Sequence, residues 1–229
     1  ADITLQNGKD IAGGAILAEI GSVLTLNNTD IADSEAGMVG GAISSTGNID
    51  IKGNSVIRNN RTISSNGLGG AIYNGGTLII NGGSVISGNE APLGGAVYNK
   101  GVFEISGSAQ ITVDSAKNDV YLPADKVITV TGNLSKSSVA RISPATYPSL
   151  LTPTITVLAA DSGVILADQV SKFKVTDGTD SKKWKINAAG QLELANKTIT
   201  VTSWKELKKA VKEGEYNTIL VNNNLTAAY

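Results

Sequence analysis

The side chains best placed for chemistry are carboxylates at matching positions of short alternating segments. Asp50 and Glu104 stand third in Asn48-Ile49-Asp50-Ile51 and Val102-Phe103-Glu104-Ile105, and a pair of carboxylates is what general acid and base cleavage of a glycosidic bond requires. If each segment is one strand of a stack, the two acids lie two rungs apart, roughly 9.6 Å at ordinary strand spacing. A retaining pair needs about 5–5.5 Å and an inverting pair no more than about 9.5 Å, while Ile79, which falls between them, adds no chemistry. Arg58 and Arg61 would offer cations to an acidic sugar, but no aromatic platform accompanies them. Asn27, Asn28, Asp30, Asp33 and Glu35 crowd one turn with the hard oxygen donors calcium takes. Their spacing matches no EF-hand loop, so a plain polar turn is the expectation.

Composition removes much of the remaining chemistry. The 229 residues contain no Cys and no His, which excludes disulfides, thiol nucleophiles, thiolate or imidazole metal sites and His-based triads. A formal net charge of −1, with no clustered Arg or aromatic residues, argues against nucleic acid as a partner. No stretch approaches the roughly 18 apolar residues of a transmembrane helix. The chain is therefore expected to carry no catalytic residues, no metal site and no cofactor.

The elements that must position these side chains follow from an internal repeat. Gly13-Gly14-Ala15-Ile16, Gly40-Gly41-Ala42-Ile43, Gly69-Gly70-Ala71-Ile72 and Gly94-Gly95-Ala96-Val97 begin 27, 29 and 25 residues apart. Each is followed by an alternating segment around Leu24, Ile49, Leu78 and Phe103, then by an apolar anchor at Ile31, Ile57, Ile86 and Ile111. Three brief strands cannot bury their apolar side alone, whereas coiling successive repeats stacks equivalent residues around a shared core. The predicted interior columns are Ile16/Ile43/Ile72/Val97, Leu24/Ile49/Leu78/Phe103, Leu26/Ile51/Ile80/Ile105 and Ile31/Ile57/Ile86/Ile111. A polar corner ladder of Ser34, Asn60, Asn89 and Asp114 should run beside the last of these, its side chains bonding along the axis. The paired glycines read as tight corners that need positive φ or bare backbone. A phosphate loop is the rival reading, but no helix or Lys follows them.

With these residues, the chain between about 10 and 120 resembles bacterial adhesin-like right-handed parallel β-helix proteins with Gly-Gly-Ala-(Ile/Val) repeats, similar to those of polymorphic outer-membrane proteins. The Phe-x-x-Asn half of the outer-membrane pattern is replaced by Ile57-Arg58-Asn59-Asn60 and Ile86-Ser87-Gly88-Asn89. The resemblance implies a bacterial extracellular or cell-surface setting and adhesion to a host or matrix component.

Three regions are expected: regular rungs over 1–117, irregular β-helix rungs or a small β-sandwich over 118–196, and a capping helix plus terminal strand over 197–229. For the middle region irregular rungs are preferred, with strands near 119–122, 127–130, 154–158, 173–175, 184–186 and 192–194. The helix over 204–213 opens with capping-box spacing at Ser203-Trp204-Lys205-Glu206 and closes at Gly214. Trp204, Leu207, Ala210 and Val211 form its apolar face, with Lys205, Lys208, Lys209 and Lys212 on the other side. Thr218-Ile219-Leu220-Val221 reads as a strand, and Ile3 and Leu5 belong to a strand-like run with no amphipathic segment before it. An uncovered β-helix edge is a template for pairing. The expectation is a homo-oligomer: the helix and strand, through Trp204, Leu207, Val211, Ile219, Leu220 and Val221, cap the rung of Ile3 and Leu5 in a neighbouring copy. The all-β reading is thus a non-enzymatic β-helix module that builds a filament or shaft. A monomeric adhesin binding host, matrix or glycan ligands is the alternative, and a polysaccharide-active enzyme a distant third.

Overall fold

Residues 3–113, 115, 117–149, 154–177, 183–195, 198–213 and 218–221 are described by the structure, a computed structural model. A leading strand, β1 (Ile3–Gln6), is followed by the first complete turn: β2 (Lys9–Ala12), β3 (Ile16–Ala18), β4 (Val23–Asn27) and β5 (Thr29–Ala32). The second turn is β6 (Glu35–Val39), β7 (Ile43–Ser45), β8 (Asn48–Lys52) and β9 (Val56–Arg58). The third is β10 (Arg61–Thr62), β11 (Ile72–Asn74), β12 (Thr77–Ile80) and β13 (Val85–Ser87), and the fourth β14 (Val97–Asn99), β15 (Val102–Gly107) and β16 (Gln110–Ile111). Equivalent strands pair in parallel, one turn on the next, so the chain winds as a β-solenoid of about six turns.

The register reproduces the four interior columns. Ile16, Ile43, Ile72 and Val97 are consecutive partners, as are Leu24, Ile49, Leu78 and Phe103, and as are Leu26, Ile51, Ile80 and Ile105. The Ile31, Ile57, Ile86 and Ile111 column completes the set. The alternation along each strand sends these side chains inward, and from the second turn on they are fully buried. Burying one such Ile contributes about 1.5–3 kcal/mol, and the stack repeats that gain at every rung.

Corners are set by the paired glycines. Gly40, Gly69 and Gly94 have φ of 61°, 69° and 65°, and a Cβ on the following Gly41 or Gly70 would lie 2.1 or 2.3 Å from the next turn's carbonyl oxygen. The backbones touch there because no side chain intervenes. A second corner carries the polar ladder. Asn60 Oδ1 accepts the Ser34 N–H at 2.9 Å, Asn89 Oδ1 accepts the Asn60 N–H at 2.9 Å, and Asn118 Oδ1 accepts the Asn89 N–H at 3.1 Å. The amides donate in turn to the Ile31 and Ile57 carbonyls. Asp114, expected in the fourth place, lies outside the described residues, and Asn118 fills that place. Ser34, Asn60 and Asn89 each follow the core Ile by three residues, whereas Asn118 follows Ile111 by seven because a longer loop precedes its return to the column.

Beyond residue 118 the same sheets continue, with β17 (Val120–Leu122), β18 (Ile128–Leu134), β19 (Ala140–Pro144), β20 (Leu158–Ala160) and β21 (Phe173–Val175) all in parallel pairing. These are irregular rungs, not a separate sandwich. Asp119 stands where earlier turns have the alanine of Gly-Gly-Ala, since Val120 is the partner of Val97; its carboxyl accepts the Gly95 N–H at 2.8 Å, a bond that in earlier turns the carbonyls Gly69 O and Gly94 O accept from Gly41 and Gly70. Burial raises the Asp119 pKa, against the Ser143 hydroxyl, the Gly95 amide and Arg141, which lower it.

The far end of the core is closed by an antiparallel hairpin, β22 (Trp184–Ile186) and β23 (Leu192–Leu194). Gly190 O accepts the Val157 and Leu158 N–H groups at 2.9 and 3.1 Å, and Ile186 and Leu192 join the core. The last described unit is a parallel pair, β24 (Thr198–Val201) and β25 (Thr218–Val221), joined by helix α1 (Trp204–Glu213), which packs on both strands. Ser203 Oγ accepts the Glu206 N–H, and Glu206 reaches back to the Thr202 N–H at 2.8 Å. Those contacts lower the Glu206 pKa.

Candidate functional site

Each strand turns every second residue outward, and equivalent residues of successive rungs form columns parallel to the axis. On the face of β4, β8, β12 and β15, Thr25, Asp50, Ile79 and Glu104 are partners in register. Asp50 is engaged by Lys52 at 2.9 Å and by the Asn81 amide at 3.2 Å. The apolar Ile79 separates it from Glu104.

The oxygen-rich turn is dispersed over several partners. Asn28 Oδ1 accepts the Asn54 N–H at 2.9 Å, Asp30 pairs with Arg58 at 2.9 Å, and Glu35 pairs with Arg61 at 2.6 Å. Two of the three carboxylates each face an arginine, so the donors do not converge on one point. The Arg61 guanidinium lowers the Glu35 pKa, and Asp30 raises that of Arg58. The Glu35–Arg61 pair belongs to an axial row of alternating sign that sequence reading missed. Lys9, Glu35, Arg61 and Glu90 are successive neighbours, and Lys117 bonds Glu90.

The column with most surface chemistry was also missed. Outward from β3, β7, β11, β14, β17 and β19 stand Leu17, Ser44, Tyr73, Tyr98, Tyr121 and Ser143, each the register partner of the next. Thr176 continues the line, its hydroxyl 2.7 Å from that of Ser143. The Tyr73 and Tyr98 rings stack with centroids 5.6 Å apart and planes 6° from parallel, and Tyr98 and Tyr121 with 5.3 Å and 12°. All three are half-buried. Burial and the two flanking phenols raise the Tyr98 pKa. Inside the same strands, Asn74 donates to Asn99 at 2.7 Å, a second buried amide ladder. The signal was present in the sequence as Ile72-Tyr73-Asn74 and Val97-Tyr98-Asn99, directly after the Gly-Gly-Ala repeats.

The residues expected to mediate assembly fall on two separate units. Among the described residues β1 pairs only with β5, and β2, β3 and β4 likewise have one neighbour each. Ile3 is 59% exposed, and Leu5, Ile16 and Leu24 are only partly covered. On the other unit, Leu220 and Val221 are about half exposed and Ile219 is partly buried. The helix face differs from expectation: Ala210 and Leu207 turn toward the strands, while Trp204 and Val211 are 42% and 63% exposed. The reason is the parallel partner β24, which the sequence reading did not foresee and which takes up the small inward face of α1. Strand pairing does not join β25 to β1 within the chain.

The fold and these outward columns define a parallel β-solenoid with a hairpin at one end of its core and an unpaired strand edge at the other. No family model, curated protein or solved structure matches the chain. No helix among the described residues is long and apolar enough to cross a membrane.

Proposed function

We propose that the chain is a non-enzymatic structural module of an extracellular or cell-surface bacterial protein, a stiff β-solenoid shaft that joins other copies head to tail. The observation that carries this reading is the pairing state of the two ends. Among the described residues β1, β2, β3 and β4 each offer a free strand edge beside a partly covered apolar interior. The β24–α1–β25 unit, among the same residues, has free edges of its own and exposed Leu220 and Val221. Parallel addition of β25, or of β24, to the β1 edge of a neighbour would satisfy both sets of backbone groups and bury both apolar sets.

The non-enzymatic part of the reading is supported by the outward carboxylates, which stand singly or against cations. The surface setting rests on the resemblance of the repeats. Electron microscopy over a concentration series tests assembly. Long particles that vanish when residues 215–229 are deleted are expected, and monomers at every concentration in both samples overturn it. The second reading, a monomeric adhesin, is favoured by the tyrosine column.

A further inference from the structure

We propose that the Tyr73–Tyr98–Tyr121 column is a binding site for an extended, uncharged polysaccharide lying along the shaft axis. Such a site exists on each copy irrespective of end-to-end assembly.

Parallel rings in full face contact would sit about 3.5–4 Å apart. Centroids at 5.6 and 5.3 Å with nearly parallel planes are too far apart for full face contact and lie in the range of offset stacking, and each half-buried ring keeps part of its surface open to solvent. The column is a stepped aromatic surface two rung intervals long. Its phenol hydroxyls have no hydrogen-bond partner among the described residues, so three groups able both to donate and to accept stand in a line.

A fold of this kind does not need tyrosine here, since Ser44 and Ser143 serve in the same column one rung below and one rung above. Three of the chain's six tyrosines are nevertheless gathered in it.

Charge selects the ligand class. From Leu17 through Ser44, Tyr73, Tyr98, Tyr121 and Ser143 to Thr176, the column carries no ion; its strands bring Arg141 and Lys174 to that face only beyond the three rings, whereas Asp50 and Glu104 mark the neighbouring face and the alternating ion row runs along another. A hydroxyl-rich ligand without charge, with apolar C–H faces that repeat at about the length of a rung, matches rings and hydroxyls together. β-Linked hexoses and pentoses in an extended chain have that form. Burial and the flanking phenols raise the Tyr98 pKa above its ordinary 10.0.

The test is calorimetric titration of the full chain with cellohexaose, xylohexaose and chitohexaose, and with hexagalacturonate as the acidic comparison. Saturable binding of at least one neutral hexasaccharide is expected, with hexagalacturonate weaker. Tyr98→Ser, which installs the residue the column already holds on neighbouring rungs, should weaken binding at least tenfold with an unchanged far-ultraviolet spectrum. Tyr98→Phe, which keeps the stack and removes one hydroxyl, should cost about threefold, as loss of one neutral hydrogen bond would. Ile79→Ser, on another face, should titrate as the parent does. Absence of saturable binding to all three neutral hexasaccharides overturns the proposal, and so does a Tyr98→Ser protein that binds as tightly as the parent.

Discussion

At the residue scale, the buried amide ladder and its neighbour Asp119 make the sharpest predictions. Asn89 accepts from the Asn60 N–H and donates to the Ile57 carbonyl, both deep in the wall. Asn89→Ala strands the two groups without water, and each orphaned group costs about 1–3 kcal/mol. Denaturant unfolding should register a loss of about 2–4 kcal/mol, and a loss below half the lower figure would mean that relaxation or water restores the bonds. Asp119 behaves differently, because burial raises its pKa above the ordinary 3.8. A carboxyl whose folded pKa is raised contributes stability that is complete below the unfolded pKa and is lost as pH rises through the folded value. Asp119→Asn keeps an oxygen for the Gly95 N–H without the buried charge. Stability curves of the two proteins should meet near pH 3 and separate above about pH 4, with the variant the more stable at pH 7. Curves that diverge the other way would show that the Arg141 attraction outweighs burial.

At the element scale, the closing hairpin and the helical unit differ in how they hold. The β22–β23 hairpin depends on Gly190, whose φ is +79° and whose Cβ, were there one, would lie 2.1 Å from the Leu158 oxygen. Gly190→Ala must lift the turn off the β20 edge. Proteolysis between residues 183 and 195 should accelerate in that variant, and an unchanged digestion pattern would refute the hairpin's role as the end seal. In the helical unit, Ser203 supplies the N-cap, and loss of such a cap typically costs about 1 kcal/mol. Amide exchange in α1 should therefore quicken about fivefold in Ser203→Ala, with the solenoid amides unaffected. A slowdown confined to acid would not be expected. Glu206, whose pKa is lowered by its bonds to Thr202 and Ser203, supports the helix above its ordinary pKa and loses that contribution as pH falls through the lowered value.

At the scale of the whole molecule, a solenoid is a linear stack in which position along the axis decides cost. Ile16 and Ile72 occupy one column, yet Ile72 is fully buried and Ile16, at the open end, is only partly so. Ile72→Ala should destabilise by about 2–5 kcal/mol, while Ile16→Ala should cost markedly less in monomer and more in assembled protein. Equal losses at the two sites in dilute solution would contradict an open first turn. With rungs about 4.8 Å apart, six turns stack over roughly 30 Å.

The inner wall of this protein was legible before any coordinates. The Gly-Gly-Ala repeats and period-two alternation place Ile43, Ile72, Leu78 and Ile57 in their columns, because an inward side chain and a bare corner are local requirements of every rung. Outward relations were not, since they join residues such as Tyr73, Tyr98 and Tyr121, 25 and 23 positions apart, whose alignment depends on each loop's length. Thus Asn118, displaced by a longer loop, takes the place assigned to Asp114. Tyr73, Tyr98 and Tyr121 become one surface only when three turns are stacked. The strand β24 is hidden for a similar reason: Thr198 to Val201 carries an ordinary alternating pattern, and only its parallel partner across α1 makes it part of a unit. Sequence periodicity determined which side of the wall each residue faces, and tertiary winding alone decided which residues meet along the axis.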